Sequence, residues 1–194
     1  DQKKRTSKKA EVFTPTWVCK KMADVAENDL KGEDWKDYIN KTCLEVTCGE
    51  APFLTSRYDT TTGQIIAVPD RVGLLDRKLK VLSERFHDYD AWMSWAIDAY
   101  TSTYGYEWQG DNLLLARCNL FLTLIENFRY RFDAKRLEIS CMPAFLDCIA
   151  DTISWNIWQM DGLKKTVPGT DISCKIKDWK AYKEILFKDV GEGE

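Results

Sequence analysis

The sequence has a single histidine, His87, and none of its seven cysteines forms a C-x-x-C pair. A Cys/His zinc site is therefore not expected, and no metal is assigned. An odd cysteine count also argues against a complete disulfide framework. Cys19, Cys43, Cys48, Cys118, Cys141, Cys148 and Cys174 are read as free thiols, several on apolar faces where cysteine packs as a small hydrophobe. That usage points to a reducing, cytoplasmic compartment. The apolar runs are far too short for a transmembrane helix, and no basic-then-apolar secretory segment opens the sequence, so no membrane partner is expected. The first residue is Asp1 rather than methionine, so a longer parent chain is allowed for. A large excess of either charge is lacking as well. The net charge of -3 gives no global argument for nucleic-acid binding. The opening DQKKRTSKK is locally basic and reads as a solvated tail, with a phosphate-contacting arm as the alternative.

What is present fits one folded domain over residues 1–194, with 44% hydrophobic and 30% charged residues. Thr14 and Pro15 open a helix to about Glu27, with Val18, Met22, Val25 and Ala26 on its inward face. KTCLEVT is a short strand, and APFLTSRY after it begins a helix or helical turn. Asp70 caps a helix whose stripe is Val72, Leu75, Leu79, Leu82 and Phe86. YDAWMSWAIDAYTS adds a helix with Trp92, Trp95, Ala96 and Ala99 inward. STYGYEW is a strand, GDNLLLARCNLFLTLIENF a helix capped by Asp111, PAFLDCIADTI a helix, and WNIWQMD a strand. DISCKIKDW and KEILFKDV form a short C-terminal hairpin. Strands alternating with helices predict an α/β domain with a mostly parallel sheet.

The three main strands each end near an acid: Glu45, Glu107 and Asp161. Ligands in such sheets sit outside the carboxyl ends of the strands, so the three acids are expected to converge on one crevice. Gly49 allows a tight turn and close approach of the backbone to a ligand. For a ligand with an adenine, a ribose and a charged tail, Glu107 could accept from two ribose hydroxyls, as in dinucleotide folds, and Asp161 from an adenine amino group. The gap from the glycine turn to Glu107 far exceeds the roughly 20 residues of a plain dinucleotide fold. The helical block at about 70–100 accounts for it as an insertion after the first strand, lying over the site or one sheet edge.

EVFTPTWVCKKM, LEVTCGEAPFL, YGYEWQGDNLLLARCNLFL and NIWQMDGL, in that order, resemble successive motifs of the adenine-specific DNA methyltransferases of restriction–modification systems. The resemblance covers roughly residues 10–165. It implies a Rossmann-like methyltransferase sheet with flanking helices, S-adenosylmethionine as cofactor, and DNA as partner. Phe13, Thr14 and Pro15 resemble the family's F-x-T-P segment at the methionine end of the cofactor. Glu45, Cys48, Gly49 and Phe53 match its (D/E)-x-x-C-G-x-G-x-F loop, which also contains Thr47. Ala51 replaces the second glycine, and the loop is expected to survive if Ala51 has a negative φ. Glu107 resembles the ribose acid, with Trp108 beside the adenine. Asp161 and Gly162 resemble the family's G-D-x-L segment.

The family's (N/D)-P-P-(Y/F) tetrapeptide, which holds the target amine and stacks on the flipped base, has no counterpart here. LKKTVPGTDISC stands in its place, and no catalytic residue is assigned. The expected protein is thus truncated, split or catalytically degenerate. The alternatives are a non-catalytic cofactor-binding or interaction subunit that works with a second methyltransferase or specificity chain, and an RNA or small-molecule methyltransferase.

Overall fold

Alternation within one five-residue strand sets the layers. In the computed structural model, which describes residues 13–28, 32–133 and 142–190, Thr103, Gly105 and Glu107 of strand β2 (Thr103–Glu107) point into one buried face, and Tyr104 and Tyr106 into the other. β2 is flanked by β1 (Cys43–Glu45) and β3 (Ile157–Gln159), both parallel to it, giving the order β1-β2-β3. The first face is covered by helices. Among the described residues there are six: α1 (Thr16–Asn28), α2 (Trp35–Asn40), α3 (Leu74–Arg85), α4 (Tyr89–Thr101), α5 (Gly110–Phe132) and α6 (Pro143–Asn156). The second face is covered in part by the antiparallel hairpin of β4 (Lys175–Asp178) and β5 (Lys183–Leu186). The chain is an α/β protein with a parallel three-stranded sheet and a small antiparallel one. The basic opening stretch and Cys141 lie outside the described residues.

The main core forms where helical stripes meet the sheet. Leu75, Leu79 and Leu82 of α3, Trp92, Ala96 and Ala99 of α4, and Leu113, Ala116, Leu120 and Leu124 of α5 are all buried in it with Ile149 and Ile157. Each large aliphatic side chain removed from water contributes about 1.5–3 kcal/mol before entropy is counted. The second cluster is aromatic. Tyr106, Trp158 and Phe187 approach with centroids 5.3–6.0 Å apart, around Met160, Cys174 and Ile176.

Several sequence expectations change. The helical block at 70–100 stands between β1 and β2 as expected, but it does not lie over the site: the stripes of α3 and α4 are buried in the main core. α1 turns the other way from its expected face. Cys19 and Ala23 are buried, whereas Met22 and Val25 are 54% and 67% exposed. Its orientation is set by polar ties on the inner side, where Arg77 bridges Asp24 and Glu27. APFLTSRY opens with the single helical turn that was one of its two expected forms, the Thr55 N–H donating to the Ala51 carbonyl at 2.9 Å, and α2 was not foreseen. Asp70 lies in a separate 3-10 turn, Val68–Asp70. α3 instead starts after Gly73, whose N–H donates to Asp76 Oδ2 at 3.2 Å. Leu74 and Leu75 then donate to the carbonyls of Phe53 and Leu54. That contact requires glycine, since a Cβ at 73 would stand 2.4 Å from the Leu54 oxygen. Asp111 sits in the first turn of α5, one step inside the helix, with Gln109 at the cap position.

Candidate functional site

A cavity of about 470 Å³ opens at the carboxyl ends of β1 and β2. Phe13, Thr14, Glu45, Thr47, Cys48, Gly49, Phe53, Glu107 and Trp108 all line it, together with Val46, Glu50, Pro52, Thr60, Gln109 and Asn112. Local chemistry explains how these distant segments meet. The Thr60 hydroxyl donates to the Thr14 carbonyl at 2.8 Å, and the Thr16 N–H donates to Asp59 Oδ2 at 2.8 Å. The DTTTG turn thus pins the start of α1 over the pocket. Desolvation raises the Asp59 carboxyl. The Thr16 amide, the Thr61 hydroxyl and the Thr62 amide outweigh it and hold the group well below the ordinary range.

Glu107 organises the glycine turn. Its Oε2 accepts from the Gly49 N–H at 2.8 Å and its Oε1 from the Gln109 N–H at 2.9 Å. A carboxylate offers about four lone-pair sites, so two remain after these bonds. Gly49 adopts a left-handed φ of 56°, and Ala51 has φ 63°. The condition of a negative φ at Ala51 is not met. Ala51 instead sits in the left-handed region, completely buried and with its N–H bonded to the Cys48 carbonyl at 2.7 Å. Thr47, at φ 49°, is a second non-glycine residue in that region.

Glu45 is 9% exposed. Its Oε1 lies 3.5 Å from the Phe53 N–H, and its Oε2 has no hydrogen-bond partner among the described residues. Burial, with repulsion from Glu107 added, pushes its pKa well above the ordinary glutamate value against the pull of the Phe53 and Leu54 amides. Burial also raises the Cys48 thiol well above its usual value, with Glu45 and Glu107 adding to it. Cys48 is buried and packs in the main core as a small apolar group. Glu50 completes an acidic set, held by the Tyr58 hydroxyl at 2.6 Å. Among the described residues, no lysine or arginine lines the cavity.

The third acid does not join them. Asp161 Oδ1 accepts from the N–H groups of Leu163 and Lys164 at 3.0 and 3.1 Å, capping its own turn beyond β3. Gly162 serves packing, because a Cβ there would meet the Tyr106 ring at 2.8 Å. Neither lines the pocket. Since β2 lies between β1 and β3, the end of β3 opens on the far side of the crevice. Sequence reasoning also missed Glu50, Thr60, Gln109 and Asn112. Gln109 and Asn112 follow Trp108 at the start of α5, where a turn after an acidic strand end was a usable signal. Thr60 carried none. Among the described residues, no group of three or more His, Cys, Asp or Glu side chains is placed to hold a metal ion. No helix among them is long and apolar enough to cross a membrane. Compared with known proteins, the chain matches no family model, no curated protein and no solved structure.

Proposed function

We propose that this pocket binds S-adenosylmethionine, and that the chain is the cofactor-binding part of a DNA adenine methyltransferase-like protein with a Rossmann-like sheet. The observation that carries the reading is charge. Among the described residues, three carboxyl side chains and no basic one line a cavity that also holds Phe13, Phe53 and Trp108. The N-terminus of α5 is at the pocket, but pyrophosphates are held best by cationic groups, and three carboxylates disfavour them. A sulfonium-bearing amino acid attached to a nucleoside fits the same lining.

The residues divide the ligand among themselves. Glu107, already fixed by two backbone amides, has lone pairs left for ribose hydroxyls. Glu45 supplies a buried acceptor for an ammonium group, and gaining that partner compensates the desolvation of its carboxylate. Trp108, 49% exposed, offers a flat apolar wall for a base. Gln109 and Asn112, rather than Asp161, are the polar side chains beside it. When bound, the cofactor would supply an activated methyl group. Without the tetrapeptide that orients a target amine, the chain would hold the donor while a partner chain holds the acceptor and the DNA. A thermal-shift panel tests the charge argument. S-adenosylmethionine is expected to raise the melting temperature, whereas NAD and ATP at equal concentration leave it unchanged. A shift with NAD or ATP and none with S-adenosylmethionine would contradict it.

A further inference from the structure

The outer ridge of α5 does not carry the polar side chains that a surface helix presents to water. The inner positions Leu113, Ala116, Leu120, Leu124 and Phe128 are buried. At about 100° per residue, the opposite ridge runs through Asp111, Leu115, Cys118, Leu122, Ile125 and Arg129. Leu122 is 38% exposed, Leu114 beside the ridge is 62% exposed, and Cys118 is exposed as well. Between Asp111 and Arg129 the helix carries two charged residues, Arg117 and Glu126, and both turn aside. The Arg117 guanidinium donates to the carbonyls of Ile157 and Ser154 at 2.8 and 3.0 Å, and Glu126 pairs with Arg57 and Arg71. An outward ridge that stays apolar from Leu115 to Ile125 is the mark of an interaction site.

The spacing names the kind of partner. Steps along the ridge alternate between four and three residues, the heptad pattern by which one helix packs along another. The ridge is also its own complement when reversed. Turned end for end at the level of Leu120, it sets Leu115 against Ile125, the small Cys118 against Leu122, and Asp111 against Arg129. A two-fold interface has this property, since each residue meets its counterpart twice. A carboxylate accepts from several donors at once, so Asp111 can take a guanidinium alongside its own contacts. Parallel pairing would instead bring Asp111 to Asp111 and Arg129 to Arg129, with the two helix dipoles aligned.

We infer that the outer ridge of α5 is a homodimer interface, across which α5 of a second copy of this chain packs antiparallel about a two-fold axis at the level of Leu120. The inference does not depend on what the acid-lined pocket holds. Gln109 and Asn112 enter that pocket from the start of the same helix, so the two pockets stand at opposite ends of the seam, about 24 Å apart at about 1.5 Å per residue. A seam of one helix from each copy belongs with the smaller specific interfaces, about 1,200 Å² in total, so association is expected at micromolar concentrations.

Sedimentation velocity of the whole chain from about 1 to 500 µM should show a monomer–dimer equilibrium. Leu122→Glu should stay monomeric throughout with its circular dichroism unchanged, because the leucine it replaces is already partly exposed. Direction is read by pulsed electron resonance from a nitroxide attached through Tyr130→Cys, an exposed position beside the ridge, in a background of Cys118→Ala, Cys141→Ser and Cys148→Ser. Antiparallel pairing puts the two labels about 30 Å apart along the seam, whereas parallel pairing leaves them within about 20 Å. A chain that is monomeric at about 500 µM, a dimer that survives Leu122→Glu, or labels within about 20 Å would overturn the inference. Should Leu122→Glu misfold, the label separation decides alone.

Discussion

Glu45 carries a carboxyl whose folded-state pKa lies above its unfolded one, chiefly because it is buried. Below the ordinary glutamate range both states hold the proton. As pH rises above the unfolded value the unfolded state releases its proton while the native state keeps it, and stability falls until the pH passes the folded value. Glu45→Gln removes that loss. The ligand-free variant should decline less in stability from about pH 5 upward, while its affinity for a cationic ligand drops. Urea midpoints across this range check the first part, and an equal decline in both proteins would contradict it. Backbone strain at the same site gives a second prediction. Thr47 is exposed, β-branched and left-handed. Thr47→Gly should relieve about 1–2 kcal/mol of strain, less about 0.5–1 kcal/mol for glycine's greater freedom when unfolded. A net gain of about 0.5–1 kcal/mol, read as a higher denaturation midpoint at constant slope, is expected. Ala51→Gly should change stability less, because it also gives up a buried methyl worth about 0.8 kcal/mol.

Among the elements, α5 and the loop before α3 depend on one carboxylate. Glu126 bonds the guanidinium of Arg57 at 3.0 Å and that of Arg71, whose side chain is 4% exposed. Removing the carboxylate leaves a buried guanidinium with one fewer partner, and Arg71 Nη1 already has none among the described residues. Glu126→Gln should therefore cost about 3 kcal/mol, the low end for a broken buried pair, since Glu126 is itself partly exposed. Loss of less than about 1 kcal/mol by chemical denaturation would contradict this assignment. At this scale the sequence was legible wherever period and burial agree. The stripes of α3 and α4, the strand Thr103–Glu107 and the C-terminal hairpin stand where their patterns put them. α1 misled because its apolar residues outnumber those it buries, and its facing is decided by Arg77, a residue 50 positions from Glu27. Asp70 resembled a cap, but the closer approach of Leu54 to Gly73 moved the helix start. Tertiary contacts of that range leave no local trace.

For the whole molecule, nine of the eleven residues nominated as cofactor contacts meet in one pocket: seven end or follow parallel strands, which end on the same side of the sheet, and Phe13 and Thr14 are brought there by the DTTTG turn. Asp161 and Gly162 stay apart, because strand order is not written in any one strand and β3 pairs beyond β2. A site that holds a methyl donor without a group to orient the acceptor should not transfer methyl at a useful rate. Orientation of this kind supplies roughly 7–11 kcal/mol of a barrier. The purified chain is expected to leave mixed-sequence duplex DNA unlabelled when given labelled S-adenosylmethionine, and robust incorporation at adenine would show that another residue replaces the tetrapeptide. The central claim is that the pocket holds this cofactor through Glu107. Calorimetric titration of S-adenosylmethionine into the chain and into Glu107→Gln tests it most directly. One molecule should bind per chain, and the variant should bind about tenfold more weakly or worse, since bonds to charged groups are worth roughly 1.5–3 kcal/mol. No binding to the unaltered chain, or equal affinity in a folded Glu107→Gln variant, would contradict it.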